Sequence, residues 1–153
     1  MKRLRYWWPA IAWAAVVWTF STEFFGADYT SRYLVPLLRW LLPGASADTI
    51  ALAHGAIRKA GHVAEYFILS LLVLRAIRAE RAGWQLTWGL TALALAVGWA
   101  ALDEVHQAFV HGRGGSPPDV LRDGLGAAAA QVAAWWWASR QAKKTLAHAQ
   151  GTR

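Results

Sequence analysis

Lys59, His62 and Tyr66 recur at i, i+3 and i+7, which puts an ammonium, an imidazole and a phenol on one face of a helix. Glu65 lies three residues after His62, close to that face. Asp103, Glu104, His106 and Gln107 close a later apolar run, with Asp103 and Gln107 one turn apart and Trp99 one turn before Asp103. His111-Gly112-Arg113-Gly114-Gly115-Ser116-Pro117-Pro118 follows, too rich in glycine and proline for a helix and therefore a loop. Asp119, Arg122, Asp123 and Gly126 then share a face at i, i+3, i+4 and i+7, with Pro118 and Asp119 suited to a helix start.

Several chemistries fit this set. His62 is a candidate general base or nucleophile, oriented by Asp103 or Glu104. Lys59 and Arg113 are suited to a phosphate or carboxylate, Arg113 through a bidentate fork. Phosphoryl and acyl chemistry both fit. Ser21 and Ser116 are candidate nucleophiles, though no serine elbow surrounds either. His62, His106, His111, Asp103, Glu104 and Asp119 offer metal ligands, but there is no H-E-x-x-H run. Glu104 and His106 cannot point the same way on a helix, and Lys59 and Arg113 would oppose a cation. Neither a metal nor another cofactor is expected. The chain has no cysteine, which excludes disulfides, thiol chemistry and cysteine zinc sites.

The elements that must position these groups are apolar. The 153 residues suffice for one domain, are rich in leucine, alanine and tryptophan, and include 11 tryptophans. Sparse β-branched residues favour helices over strands. A spanning helix needs roughly 20 largely apolar residues, and residues 6–25, 61–79, 84–102 and 120–138 provide four candidates. The second has room to begin earlier, near Asp48. The first starts behind Lys2, Arg3 and Arg5, as a signal peptide would, but is long, tryptophan-rich and without a small-x-small cleavage site. The expected fold is thus all-α and polytopic, with four transmembrane helices.

Between the first two candidates, Tyr33, Leu34, Leu37, Leu38 and Leu41 recur at helical spacing, with Arg32 and Arg39 off that face and Tyr29 and Trp40 suited to headgroups. This predicts an interfacial or re-entrant helix. Pro36 is tolerable near its start, Pro43-Gly44 ends it, and Ser46 or Asp48 caps the next helix, which carries His54, Arg58 and Lys59 into the second span. Lys2, Arg3 and Arg5, then Arg75, Arg78 and Arg81, then Arg140, Lys143 and Lys144 flank the apolar runs on one side, where Glu80 is the lone carboxylate. Positive-inside bias predicts both termini in the cytoplasm. Topology therefore explains the formal charge of +7, and no nucleic-acid partner is expected. A charge at hydrocarbon depth costs several kcal/mol unless paired or wet, so the acids and bases predict a polar pocket open to the outside, roofed by the glycine-rich loop.

Lys59-x-x-His62-x-x-x-Tyr66, Asp103-Glu104-x-x-Gln107-x-Phe109, Arg113, and Asp119 with Gly126 resemble, in order and spacing, the VanZ-like membrane proteins. Ser21-Thr22 occupies the place of the serines that often end the first span in that family. The chain departs from the pattern at Asp123, where asparagine is common, and at Gly112, where a proline usually precedes the arginine. The resemblance implies a bacterial cytoplasmic-membrane protein in a cell-envelope context. Its family is named for a protein that protects against the glycopeptide teicoplanin. It implies no particular reaction.

Three readings stay open: an enzyme acting on a lipid headgroup or lipid-linked cell-wall precursor, a protein that binds such a molecule without chemistry, and a scaffold whose Lys59, Asp103, Glu104, Arg113 and Asp119 form a structural ion-pair network. The catalytic candidates are Lys59, His62, Asp103, Glu104 and Arg113. Ser21, Glu65, Tyr66, Gln107, Asp119 and Asp123 are binding candidates. Elsewhere, His54 and His148 are expected to face solvent. Trp7, Trp8, Trp84, Trp88 and Trp135 to Trp137 are expected in the membrane interface. Gly89, Gly98, Gly124 and Gly126 are expected to let helices approach, and Gln131 to bond a neighbouring helix.

Overall fold

The computed structural model describes residues 4–111 and 113–151. Lys2, Arg3 and Gly112, named above for charge and motif, lie outside the described residues. Five α-helices and no strand occur among the described residues: α1 (Leu4–Phe20), α2 (Ala27–Leu41), α3 (Ala47–Arg78), α4 (Leu86–Ala108) and α5 (Pro117–Gly151), with a single 3-10 turn, Glu23–Phe25, between α1 and α2. α3 is the central element and packs against each of the other four.

The chain bends by 77° between α1 and the segment Glu23–Leu41. α2 is amphipathic as its spacing predicts. Leu38 is its single buried residue, while Tyr33, Leu37, Trp40 and Leu41 are exposed. Pro36 sits past the middle of α2 rather than near its start, on the exposed side. Leu42 ends the helix just before Pro43. Ser46 caps α3, its hydroxyl accepting from the Thr49 amide at 3.2 Å, so the second apolar run does begin near Asp48 as one continuous helix. His54 is not simply solvent-facing. It is half-buried with Nε2 3.1 Å from Thr30 Oγ1, tying α2 to α3.

Helices α3 and α4 are each long and apolar enough to cross a membrane, and α1 with the bent segment after it supplies a third candidate. α5 falls short by composition: Arg122, Asp123 and Gln131 lie among its alanines, and its three consecutive tryptophans add area without high hydropathy. On α4, Ala92, Ala96 and Ala100 are fully buried, and the same face continues into Asp103 and Gln107. The small residues bring neighbouring helices close, and the polar ones arrive at the end of that seam.

A polar clamp joins α3 and α5 midway. Gln131 Nε2 donates to Ser70 Oγ at 2.8 Å and to its carbonyl at 3.2 Å, Ser70 Oγ donates to the Ala127 carbonyl at 3.0 Å, and Trp84 Nε1 donates to Gln131 Oε1 at 3.3 Å. Gln131 thus bonds a neighbouring helix as expected. Of the four glycines, Gly126 makes the close approach, since a methyl there would overlap the Val63 carbonyl. Gly89 accommodates the Trp84 ring instead, Gly124 has ordinary room and Gly98 faces open space. Trp88 and Trp84 depart from the interfacial expectation: Trp88 is buried in the core beneath Arg81, and Trp84 is half-buried against Gly89. Trp8 and Trp135 to Trp137 are exposed.

At the arginine-rich end, Glu80 joins Arg5 and Tyr6, the tyrosine hydroxyl donating at 2.6 Å. The Tyr6 hydrogen bond and the Arg5 charge hold the exposed Glu80 carboxyl below its ordinary value. Arg81 donates to the Ile77 and Arg78 carbonyls, closing the C-terminus of α3.

Candidate functional site

At the opposite end, a cavity of about 280 Å³ opens where α3, α4, α5 and the 109–116 loop meet. α3 contributes Arg58, Lys59 and His62, α4 contributes Glu104 and Gln107, and α5 contributes Asp119, Arg122 and Asp123. Arg113 and Gly114 close it from the loop. Ala27 and Gly55 form small-residue parts of the wall, which leave the charged groups room.

Behind the wall, the Ser21 hydroxyl donates to Asp103 Oδ1, and Gln107 Nε2 donates to Oδ2 at 2.9 Å. All three residues are buried. The bonds satisfy the carboxylate with neutral donors and fasten the end of α1 to α4. His106 points the other way and stacks on Trp18, ring centroids 4.1 Å apart, beside Trp99. Trp99 is therefore packing against α1 and not part of the cavity wall.

Arg113 is half committed. Its Nη2 donates to the Phe20 carbonyl at 2.7 Å, closing the C-terminus of α1, while Nε and Nη1 are buried without a partner. Burial, with Arg58 nearby, pulls its guanidinium below the usual arginine value. Glu104 Oε2 accepts the Ser116 amide at 2.7 Å, which pins the loop over α4. Gly115 permits this, because a methyl there would sit 2.5 Å from the Glu104 carbonyl oxygen. Asp119 pairs with Arg122 on the same helix.

The ion-pair network among Lys59, Asp103, Glu104, Arg113 and Asp119 that the scaffold reading calls for is not what the structure contains. Among the described residues, none of the five pairs with another of them. Asp103 accepts from a hydroxyl and an amide side chain and Glu104 from a backbone amide, while Asp119 takes Arg122 as its partner. No three histidine, aspartate or glutamate side chains converge on a metal-sized site among the described residues.

Several buried polar atoms around the cavity remain unsatisfied. His62 Nδ1 lies 3.7 Å from Glu65 Oε2, outside hydrogen-bond range, and both atoms are buried. Asp123 is 1% exposed, with neither oxygen hydrogen-bonded, and the fully buried Tyr66 hydroxyl is likewise without a partner. Trp13 donates to the Glu65 carbonyl at 2.9 Å, holding α1 against α3 at this level.

Of the residues singled out by spacing, Lys59, His62, Glu104, Gln107, Arg113, Asp119 and Asp123 line the cavity, and Ser21, Glu65, Tyr66 and Asp103 lie behind it. Arg58 and Arg122 line it as well. Arg58 was discernible as the residue one turn before His62, and Arg122 by its place between Asp119 and Asp123.

A family model described as VanZ/LLP1 matches residues 6–138 of the chain. No curated protein matches, and no solved structure matches.

Proposed function

From the premise that the chain belongs to the VanZ/LLP1 family, we propose that it is a cell-envelope membrane protein whose cavity binds the anionic headgroup of a lipid or lipid-linked envelope molecule. In this reading α1, α3, α4 and α5 cross the bacterial cytoplasmic membrane, α2 lies in the interface, both termini are cytoplasmic and the cavity opens outward. The observation that carries the reading is Arg113, with two unpartnered nitrogens in a wall shared with Arg58 and Lys59. A phosphate would supply the missing acceptors. Occupation or sequestration of such a molecule is a route by which the protein alters glycopeptide susceptibility.

A second reading is catalytic. His62 lines the cavity with Glu65 beside Nδ1, the arrangement of a base and the carboxylate that orients it, in which a modest side-chain shift completes the hydrogen bond.

The test uses the full chain in mild detergent with a total bacterial lipid extract, followed by mass spectrometry of bound and free lipid. The binding reading expects wild type to retain a phosphate-bearing lipid that Lys59→Ala releases. A lipid that changes mass with wild type and not with His62→Ala would establish the catalytic reading. Equal retention by wild type and Lys59→Ala, with no lipid altered, would overturn both.

A further inference from the structure

A second, larger cavity lies at the arginine-rich end. It has a volume of about 1090 Å³ and opens between α5 and the last turns of α3. The two helices touch at Gly126 and at the Ser70–Gln131 clamp, and beyond that contact the cavity separates them. Its walls change character along their length. Toward the middle of the bundle they are Leu71, Leu74, Ala133, Ala134, Trp137 and Ala138. Toward the end of the bundle they are Arg75, Arg78, Glu80, Arg81, Gln141 and Thr145. From Ala133 to Thr145 the groove follows about 18 Å of helix at 1.5 Å per residue.

The charges at the polar end are not equally engaged. Glu80 is committed to Arg5 and Tyr6. Arg81 is committed to two carbonyls and stacks over Trp88, 4.3 Å from the ring centroid. Arg75 has no side-chain partner among the described residues and is exposed. Arg78 reaches the Gly83 carbonyl at 3.5 Å, with Nε buried and unpartnered. Two guanidiniums thus stand at the mouth of an apolar trough without a counter-charge.

We infer that this groove seats one anionic phospholipid, its phosphate on Arg75 and Arg78 and an acyl chain along Leu74, Ala134, Trp137 and Ala138. Both ends of the groove match an amphiphile of that polarity. The alanines leave the width, Trp137 supplies a wall, and arginine forks suit phosphate oxygens. Basic side chains next to a membrane helix attract anionic lipids in any case; here they also adjoin a cavity long enough to hold a chain. The site is separate from the cavity around Lys59, about 24 Å away along α3 at 1.5 Å per residue.

The test places the full chain in nanodiscs of equimolar phosphatidylglycerol and phosphatidylcholine and releases it for native mass spectrometry. Wild type is expected to retain phosphatidylglycerol about tenfold over phosphatidylcholine, a difference of ~1.4 kcal/mol. Arg75→Gln with Arg78→Gln should remove one phosphatidylglycerol, in the wild-type background and equally in Lys59→Ala, which separates this groove from the other cavity. Ala138→Trp should expel the lipid by filling the trough. Parity between the two lipids in wild type overturns the inference without recourse to any variant. So does unchanged retention in the arginine variants, or a lipid-free dimer that Ala138→Trp disperses, which would make a second copy the occupant.

Discussion

The Ser21 hydroxyl donates to Asp103 across 82 positions of sequence, and both side chains are buried. With Gln107 on the other carboxylate oxygen, Asp103 is the hydrogen-bonded joint between the end of α1 and α4, beside the ring contacts of Trp18. Asp103→Leu removes the acceptor of both bonds, leaving the Ser21 hydroxyl only the Val17 carbonyl at 3.2 Å, and should cost roughly 1–3 kcal/mol. Ser21→Ala should cost about 1 kcal/mol, and the double variant less than the sum because both single variants lose the same Ser21–Asp103 bond. Lys59→Ala, exposed and without a side-chain partner, should stay within about 0.5 kcal/mol of wild type. Thermal unfolding in detergent checks the series; additive losses would mean that Ser21 and Asp103 act independently.

Gly126→Ala should be among the most damaging of the glycine substitutions. Its methyl would meet the Val63 backbone, so α3 and α5 must separate, at a cost of roughly 1–3 kcal/mol. Gly98→Ala, with open space around it, should be neutral or stabilising by up to about 1 kcal/mol. The contrast is read as a difference in melting temperature between the two variants.

Ala79 adopts φ 53° and ψ −117°, a conformation that a side chain disfavours and glycine accepts. Ala79→Gly should raise stability by about 1 kcal/mol. A lowered melting temperature would show that the methyl contributes packing worth more than the strain.

The Glu80 cluster predicts an acid sensitivity. A carboxyl held below its ordinary value of 4.5 contributes stability above that pH, and the contribution is lost as pH falls through the depressed folded value. Wild type should therefore lose more melting temperature than Glu80→Gln when pH is lowered from the ordinary value through that window. Parallel curves would place the acid sensitivity elsewhere.

Because the chain has no cysteine, one introduced thiol reports sidedness without background. Gly114 is exposed, with open space at its Cα. Gly114→Cys should react with an impermeant thiol reagent added to intact cells, whereas labelling only after lysis would reverse the proposed orientation.

The spacing of Lys59, His62 and Tyr66 predicted a shared azimuth, and the structure gives each a different depth: exposed, half-buried and fully buried. Periodicity reports direction around a helix axis, whereas depth depends on where neighbouring helices end. The bond from Ser21 to Asp103 was beyond reach for a related reason, since it needs the relative height of two helices. The Ser46 cap and the early start of α3 were legible because they are local chemistry. Residue type alone points Trp88 to the interface, but it shares the face of Ala92 and Ala96, and that spacing accounts for its burial. α5 falls short of a membrane span by composition because its polar residues line the cavity and form the clamp.

The clamp of Ser70, Gln131 and Trp84 has a consequence for how this sequence can change over time. In an apolar medium a one-turn slip of α5 would leave three polar groups without acceptors or donors, so helix register is stored there, two turns of α3 away from His62. The cationic rim of Arg58 and Lys59 is thereby released from holding α3 against α5. Substitutions at that rim can change the charge and shape of the cavity while the two helices stay aligned, so the chemistry of the wall and the alignment of the bundle are carried by different residues.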